Sequence, residues 1–178
     1  MKKIAVLFLL AVALVFVLFL VGCKQKFNTE DYIRLHIRAD SNEQEAQNVK
    51  LKVRDEIVGY LSAKSNEMNS REEMLDFLVE QIPEIERRAN SILASNGFDY
   101  GCKAKIVRED FPEKQYGDLT FPEGNYLSLI LELGSAEGQN WWCVAYPPLC
   151  FVASEETEGD KVEYRSIIAD FFNKLSEK

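Results

Sequence analysis

Eighteen consecutive residues, Ile4 to Val21, carry neither a charge nor a polar side chain. A run of that kind has no polar face to turn toward water, so it belongs in a membrane or in an export signal. As a helix rising 1.5 Å per residue it spans about 27 Å, close to the hydrocarbon thickness of a bilayer. Met1, Lys2 and Lys3 supply the basic start that precedes the apolar stretch of an export signal. The run closes on Leu20-Val21-Gly22-Cys23, which fits a lipobox: small Gly22 admits a peptidase, and the Cys23 sulfur takes a lipid. Three forms stay open: a lipoprotein joined at Cys23, a retained membrane helix, or a plain cleaved signal. All three ordinarily place the following chain on the extracytoplasmic side. Lys24 and Lys26 nearly balance Lys2 and Lys3, so the basic residues alone do not fix the orientation.

The expected organisation is therefore a signal or anchor over residues 1–23, a linker over 24–31, and one extracytoplasmic domain over 32–178. That domain is long enough to bury a real core. Removing Lys2 and Lys3 from the 21 basic residues leaves 19 against 29 acidic ones, a net charge of about −10 for the exported part. Such a surface argues against nucleic acid as a partner and against clinging to anionic lipid heads.

Hydrophobic periodicity sets the element order. Tyr32 to Arg38 alternates, with Ile33, Leu35 and Ile37 on one face and Tyr32, Arg34, His36 and Arg38 on the other, the pattern of a strand with one buried face. Ser41-x-x-Gln44 fits a capping box opening a helix that carries Ala46, Val49, Val53, Ile57 and Leu61. Ser70-x-x-Glu73 opens a second helix, in which Pro83 is expected to make a kink or a break, and Gly97 a C-terminal cap. Strands follow over Cys102 to Arg108, Tyr126 to Leu133 and Trp141 to Tyr146. Arg165 to Leu175 reads as a last amphipathic helix, after a solvated acidic loop from Glu155 to Asp160. The order β-α-α-β-β-β-α predicts an α+β fold: an antiparallel or mixed sheet of about four strands packed against helices, preceded by the N-terminal signal or membrane helix.

Chemistry-bearing motifs are scarce. There is no HExxH, CxxC, EF-hand loop, GxSxG elbow or phosphate-binding glycine loop, so no cofactor and no metal site is expected. The single histidine, His36, stands between Arg34 and Arg38, two cations expected to depress its pKa and weaken it as a base. Cys143 and Cys150 bracket six residues and suit an extracytoplasmic disulfide, with a pair of buried free thiols as the alternative. Cys102 is expected as a small buried strand residue. Two segments concentrate aromatic residues and prolines: Phe111 to Gly117, expected to join two strands, and Gln139 to Phe151. Because neighbours on a strand point to opposite faces, Trp141 and Trp142 are expected to divide, one to the core and one to the surface.

These segments together carry a resemblance. Arg34-Leu-His-Ile-Arg-Ala-Asp-Ser41, Val49-Lys-Leu-Lys-Val-Arg-Asp55, Phe111-Pro-Glu-Lys-Gln-Tyr-Gly117 and Asn140-Trp-Trp-Cys with Pro147-Pro-Leu-Cys-Phe151 resemble, in the same order, the stage II sporulation protein R family. The resemblance implies a signal of endospore formation, exported into the space between forespore and mother-cell membranes. There it would trigger a membrane-embedded aspartic protease that processes the precursor of the mother-cell sigma factor, sigma-E. It implies no catalytic residues. The lipobox-like end departs from the family pattern and leaves open whether the protein diffuses or stays tethered to the membrane through its N-terminal segment. The partner-binding surface is expected on Arg34, His36, Arg38, Asp40, Tyr116 and Trp142, with a merely solvated strand face as the plain alternative. Two other functions compete. One is an exported cell-envelope enzyme, which needs His36 paired with a carboxylate beside a cleft. The other is a solute-binding lipoprotein, which needs a pocket lined by Trp141, Trp142 and Tyr146.

Overall fold

The computed structural model describes residues 27–148 apart from Asn66, Gly117 and Asp118. Within them lie β1 (Ile33–Arg38), α1 (Gln44–Ser65), α2 (Arg71–Ser95), β2 (Cys102–Phe111), β3 (Lys114–Tyr116), β4 (Leu119–Phe121), β5 (Gly124–Leu133) and β6 (Asn140–Tyr146). The export segment with Cys23, the acidic loop and the expected last helix lie outside the described residues, as does Cys150. Among the described residues no helix is long and apolar enough to cross a membrane.

Four strands form one mixed sheet in the order β2-β5-β1-β6. The central pair, β1 and β5, is parallel, with Ile33 opposite Leu127 and Arg38 opposite Glu132; β2 and β6 pair antiparallel on the two sides. Alternation sends Ile33, Leu35, Ile37, Leu129, Leu131, Leu133, Cys143 and Ala145 to one face, where α1 and α2 cover them. Val49, Val53, Ile57 and Leu61 come from α1, and Met74, Leu78, Ile85, Ala89 and Leu93 from α2. Nearly all of these are fully buried, so this layer holds the main hydrophobic contribution to stability.

Helix ends show how closely local chemistry was followed. Ser70 caps α2: its hydroxyl accepts from the Glu73 amide at 3.1 Å, while the Glu73 carboxylate accepts from the Asn69 amide at 2.8 Å. At the other end Phe98 N–H bonds the Leu93 carbonyl and Gly97 N–H bonds that of Ala94, the paired pattern of a Schellman stop, with Gly97 at φ +82. Pro83 sits inside one uninterrupted helix rather than ending it. The amide it lacks would have served the turn at Val79, an exposed position where water can take the carbonyl. The Ser41–Gln44 capping box does not form. Ser41 accepts from the Glu43 amide at 3.4 Å and α1 begins at Gln44. The carbonyls of Ala39 and Asp40 and the Asn42 side chain are occupied instead by the β5–β6 loop, described below.

Two features depart from the expected order. Phe111 to Tyr116 is no plain connection: Phe111 ends β2, and Lys114–Tyr116 pairs antiparallel with Leu119–Phe121 as a separate two-stranded hairpin. Strands of three residues are too short to show a period of two, so they leave no sequence pattern. Phe27, expected in the linker, also belongs to the fold, stacking on Tyr32 with ring centroids 4.7 Å apart.

Candidate functional site: the far face of the sheet

The face opposite the helices is where the candidate residues gather. Period-two alternation places Arg34, His36 and Arg38 there from β1, with Trp142 and Val144 from β6 and Tyr126, Ser128 and Glu132 from β5. Two of the residues expected on a partner-binding face are buried: Arg34 is 0% and His36 1% exposed. The β3–β4 hairpin and the Phe111 ring close over Arg34, and the Phe111 and Trp142 rings over His36.

Arg34 lies in an aromatic cage. Its guanidinium carbon is 4.5 Å from the Phe111 ring centre, 5.0 Å from Tyr126, 5.2 Å from Phe121 and 5.8 Å from Tyr116, all within cation–π range. Its Nε donates to the Cys143 carbonyl at 2.9 Å and its Nη2 to the Tyr116 hydroxyl at 3.0 Å, while Nη1 is buried without a partner. Burial pulls its pKa below the ordinary arginine value and the Tyr116 and Tyr126 hydroxyls oppose the shift. An arginine nevertheless stays protonated in a protein.

His36 sits one step along. Its ring stacks on Trp142 at 3.7 Å and meets the edge of Phe111 at 5.9 Å; Nδ1 is 3.0 Å from a Glu109 carboxylate oxygen. The other Glu109 oxygen takes Arg38, which also donates to Glu132 at 3.0 Å, and Glu132 accepts from Lys105 at 2.8 Å. The imidazole's pKa is lowered, first by burial; Glu109 and the Asn140 side chain pull the other way, and Arg38 adds a smaller push downward. The flanking cations expected to dominate are therefore secondary to desolvation. In register Glu109 faces Tyr126, whereas His36 faces Ile130, four residues further along β5. The end of β2 must lean across the sheet diagonal to make this contact, as strand twist and coiling allow. Glu109, Glu132 and Phe111 were not among the expected site residues, because a carboxylate is assigned to histidine only once strand order and register are known.

Asp40 serves a different end of the molecule. Its carboxylate accepts from the Ser135 amide at 2.7 Å and its carbonyl from the Ser135 hydroxyl at 2.7 Å, and the Gly138 amide bonds Ala39 at 2.9 Å. Asn42 accepts from the Gln139 amide at 2.7 Å. Asp40 thus latches the β5–β6 loop to the start of α1, and Tyr116 works within the cage above Arg34.

Trp141 and Trp142 do point to opposite faces. Trp141 packs against the helix-side core with Arg54 over its ring at 5.6 Å, while Trp142 covers His36; both are half-buried rather than one core and one surface. Tyr146 joins the helix-side core. The three therefore cannot line a single pocket, which removes the basis given for a solute-binding lipoprotein. Cys143 is disulfide-bonded and Cys102 is a free buried thiol, pushed up to about 12 by burial first and then by Glu86 and Glu132. Among the described residues no three His, Cys, Asp or Glu side chains converge as a metal site would require.

A family model described as stage II sporulation protein R matches residues 29–156, which takes in every described strand and helix. The chain is also 29% identical over 147 residues to stage II sporulation protein R of Bacillus subtilis (strain 168), across 78% of this chain and 66% of that relative, a little under two thirds of the relative's length. No solved structure matches.

Proposed function

The chain belongs to the stage II sporulation protein R family, and on that premise we propose that it is an exported signal of endospore formation, acting by binding rather than by catalysis. Its receptor is the membrane-embedded aspartic protease that processes the sigma-E precursor, and it works in the space between the forespore and mother-cell membranes. The observation that carries the reading is the family match across the whole described fold. The apolar run Ile4 to Val21 supports export, and the domain's acidity suits a protein receptor better than an anionic membrane surface. Activation is differential binding: the signal holds the protease's active arrangement more tightly than its inactive one.

The contact surface on the far face centres on Trp142, Arg38 and Tyr116, three of the four half-buried members of the expected set, the fourth being Asp40. His36 supports Trp142 from beneath, and Asp40 holds the loop that leads into β6. A hydrolytic role for His36 has one observation in its favour, the Glu109 carboxylate at Nδ1. Against it, that carboxylate is shared with Arg38, the ring is covered by Trp142, and among the described residues Nε2 has no hydroxyl or thiol to activate.

Co-expression of the full chain, the protease and the sigma precursor tests the proposal. Processing is expected only when the signal carries its export segment. Processing without the chain, or equal processing when residues 1–22 are deleted and the domain stays in the cytoplasm, overturns it.

A further inference from the structure

Arg34 is the one arginine among the described residues that is fully buried, and it has no carboxylate partner among them. Arg38, Arg54, Arg71, Arg87, Arg88 and Arg108 all have one. Its hydrogen bonds go to a carbonyl and a phenol, and Nη1 has no partner among the described residues. A buried cation without a counter-charge is costly, and an apolar side chain of similar volume often serves stability as well or better. Retaining arginine there asks for a use beyond the resting fold. What covers it is small: two three-residue strands paired with each other, held down by Tyr116 on the Arg34 guanidinium and by the Phe121 ring against Phe27, Tyr32 and Val144.

We propose that Arg34 is a concealed carboxylate receptor, reached when the β3–β4 hairpin lifts, and that its occupant is an aspartate or glutamate side chain presented by the receptor protein. A protein carboxylate is preferred to a lipid phosphate because an exported domain of about −10 net charge is repelled by an anionic membrane surface. The guanidinium fork suits a carboxylate bidentately, with Nη1 already free and Nη2 released from Tyr116 as the hairpin moves. The Phe111 and Tyr126 rings, which stay with the sheet, then flank the ion pair. This inference rests on the signalling function proposed above.

The test pairs a stability measurement with a signalling one, on the full-length chain. Arg34→Met is expected to leave the thermal midpoint unchanged or raised, and to cut sigma-precursor processing at least tenfold in co-expression. Arg34→Lys, which keeps the charge but loses the fork, is expected to fall between Met and wild type. A midpoint lowered by about 4 °C or more in Arg34→Met would make Arg34 a structural residue and overturn the proposal, as would undiminished processing. Alanine substitution of each extracytoplasmic Asp and Glu of the protease should find one whose loss is absent in the Arg34→Met background. Losses that add at every position overturn the carboxylate, including the case in which a lipid phosphate is the true occupant. Wild-type chain that fails to drive processing counts against the signalling function itself, so the two failures are distinguishable.

Discussion

At the scale of single residues, His36 is the group whose protonation the fold resists. Its pKa is lowered from 6.5 by burial, so the neutral ring is favoured in the folded state relative to the unfolded one. The unfolded chain then binds more protons as pH falls, and the stability His36 contributes is complete above about pH 6.5 and is lost as pH drops through its lower folded value. Denaturant unfolding between pH 7.5 and 5 should show stability declining toward acid, with a shallower decline in His36→Gln; an identical slope in the variant would assign the effect elsewhere. The Cys102 thiol, pushed up to about 12, has almost no thiolate at neutral pH and is buried besides. Iodoacetamide at pH 8 should leave Cys102 unmodified in the native protein and label it fully in denaturant, as read by peptide mass spectrometry. Arg38 joins Glu109 to Glu132 at a partly exposed position. Arg38→Gln is accordingly expected to cost about 1 kcal/mol in stability while weakening protease activation more than that loss explains, measured by unfolding and by the processing assay.

At the scale of elements, two junctions decide how the layers meet. The β5–β6 loop lies against the β1–α1 corner so closely that a Cβ at Gly138 would overlap the Ser41 carbonyl oxygen, backbone that cannot rotate away. Gly138→Ala should therefore destabilise the domain by about 2 kcal/mol or more, seen as a lower denaturation midpoint. The α2 start is held by a side-chain cap, so Ser70→Ala is expected to cost about 1 kcal/mol, whereas Ser41→Ala should cost less because its hydroxyl makes only the long 3.4 Å bond to Glu43. The contrast separates the capping box that forms from the one that the spacing alone suggests. The same Ser-x-x-Glu/Gln pattern occurs at both places, but at Ala39 to Asn42 the loop from β5 takes backbone and side-chain acceptors that a helix start would use.

For the whole molecule, the two sheet faces do different work. The helix side is a continuous apolar core; the other side buries an arginine beneath a hairpin and a histidine beside a partly exposed ion network. An apolar core can be read from periodicity, whereas a buried polar face carries the same pattern as a solvated one. In an oxidising compartment the disulfide at Cys143 fixes the edge strand next to that face. Peptide mapping without reductant should find Cys143 joined to Cys150 and Cys102 free; a link to Cys102 would contradict its place as a buried thiol on β2.

Alternation and local signals determined a great deal from the chain alone: the strand faces of Ile33, Leu35 and Ile37, the two long helices, the Ser70 and Gly97 caps, the opposite orientation of Trp141 and Trp142, and the resemblance that the family model then matched. These depend on contacts within a few residues or on a period that repeats along one element. Only the tertiary structure decided the parallel pairing of β1 with β5, the hairpin over Arg34, and the meeting of Glu109 with His36 and Arg38. Those depend on strand order, register and sheet twist, which join residues more than seventy positions apart and leave no trace in the spacing of either segment.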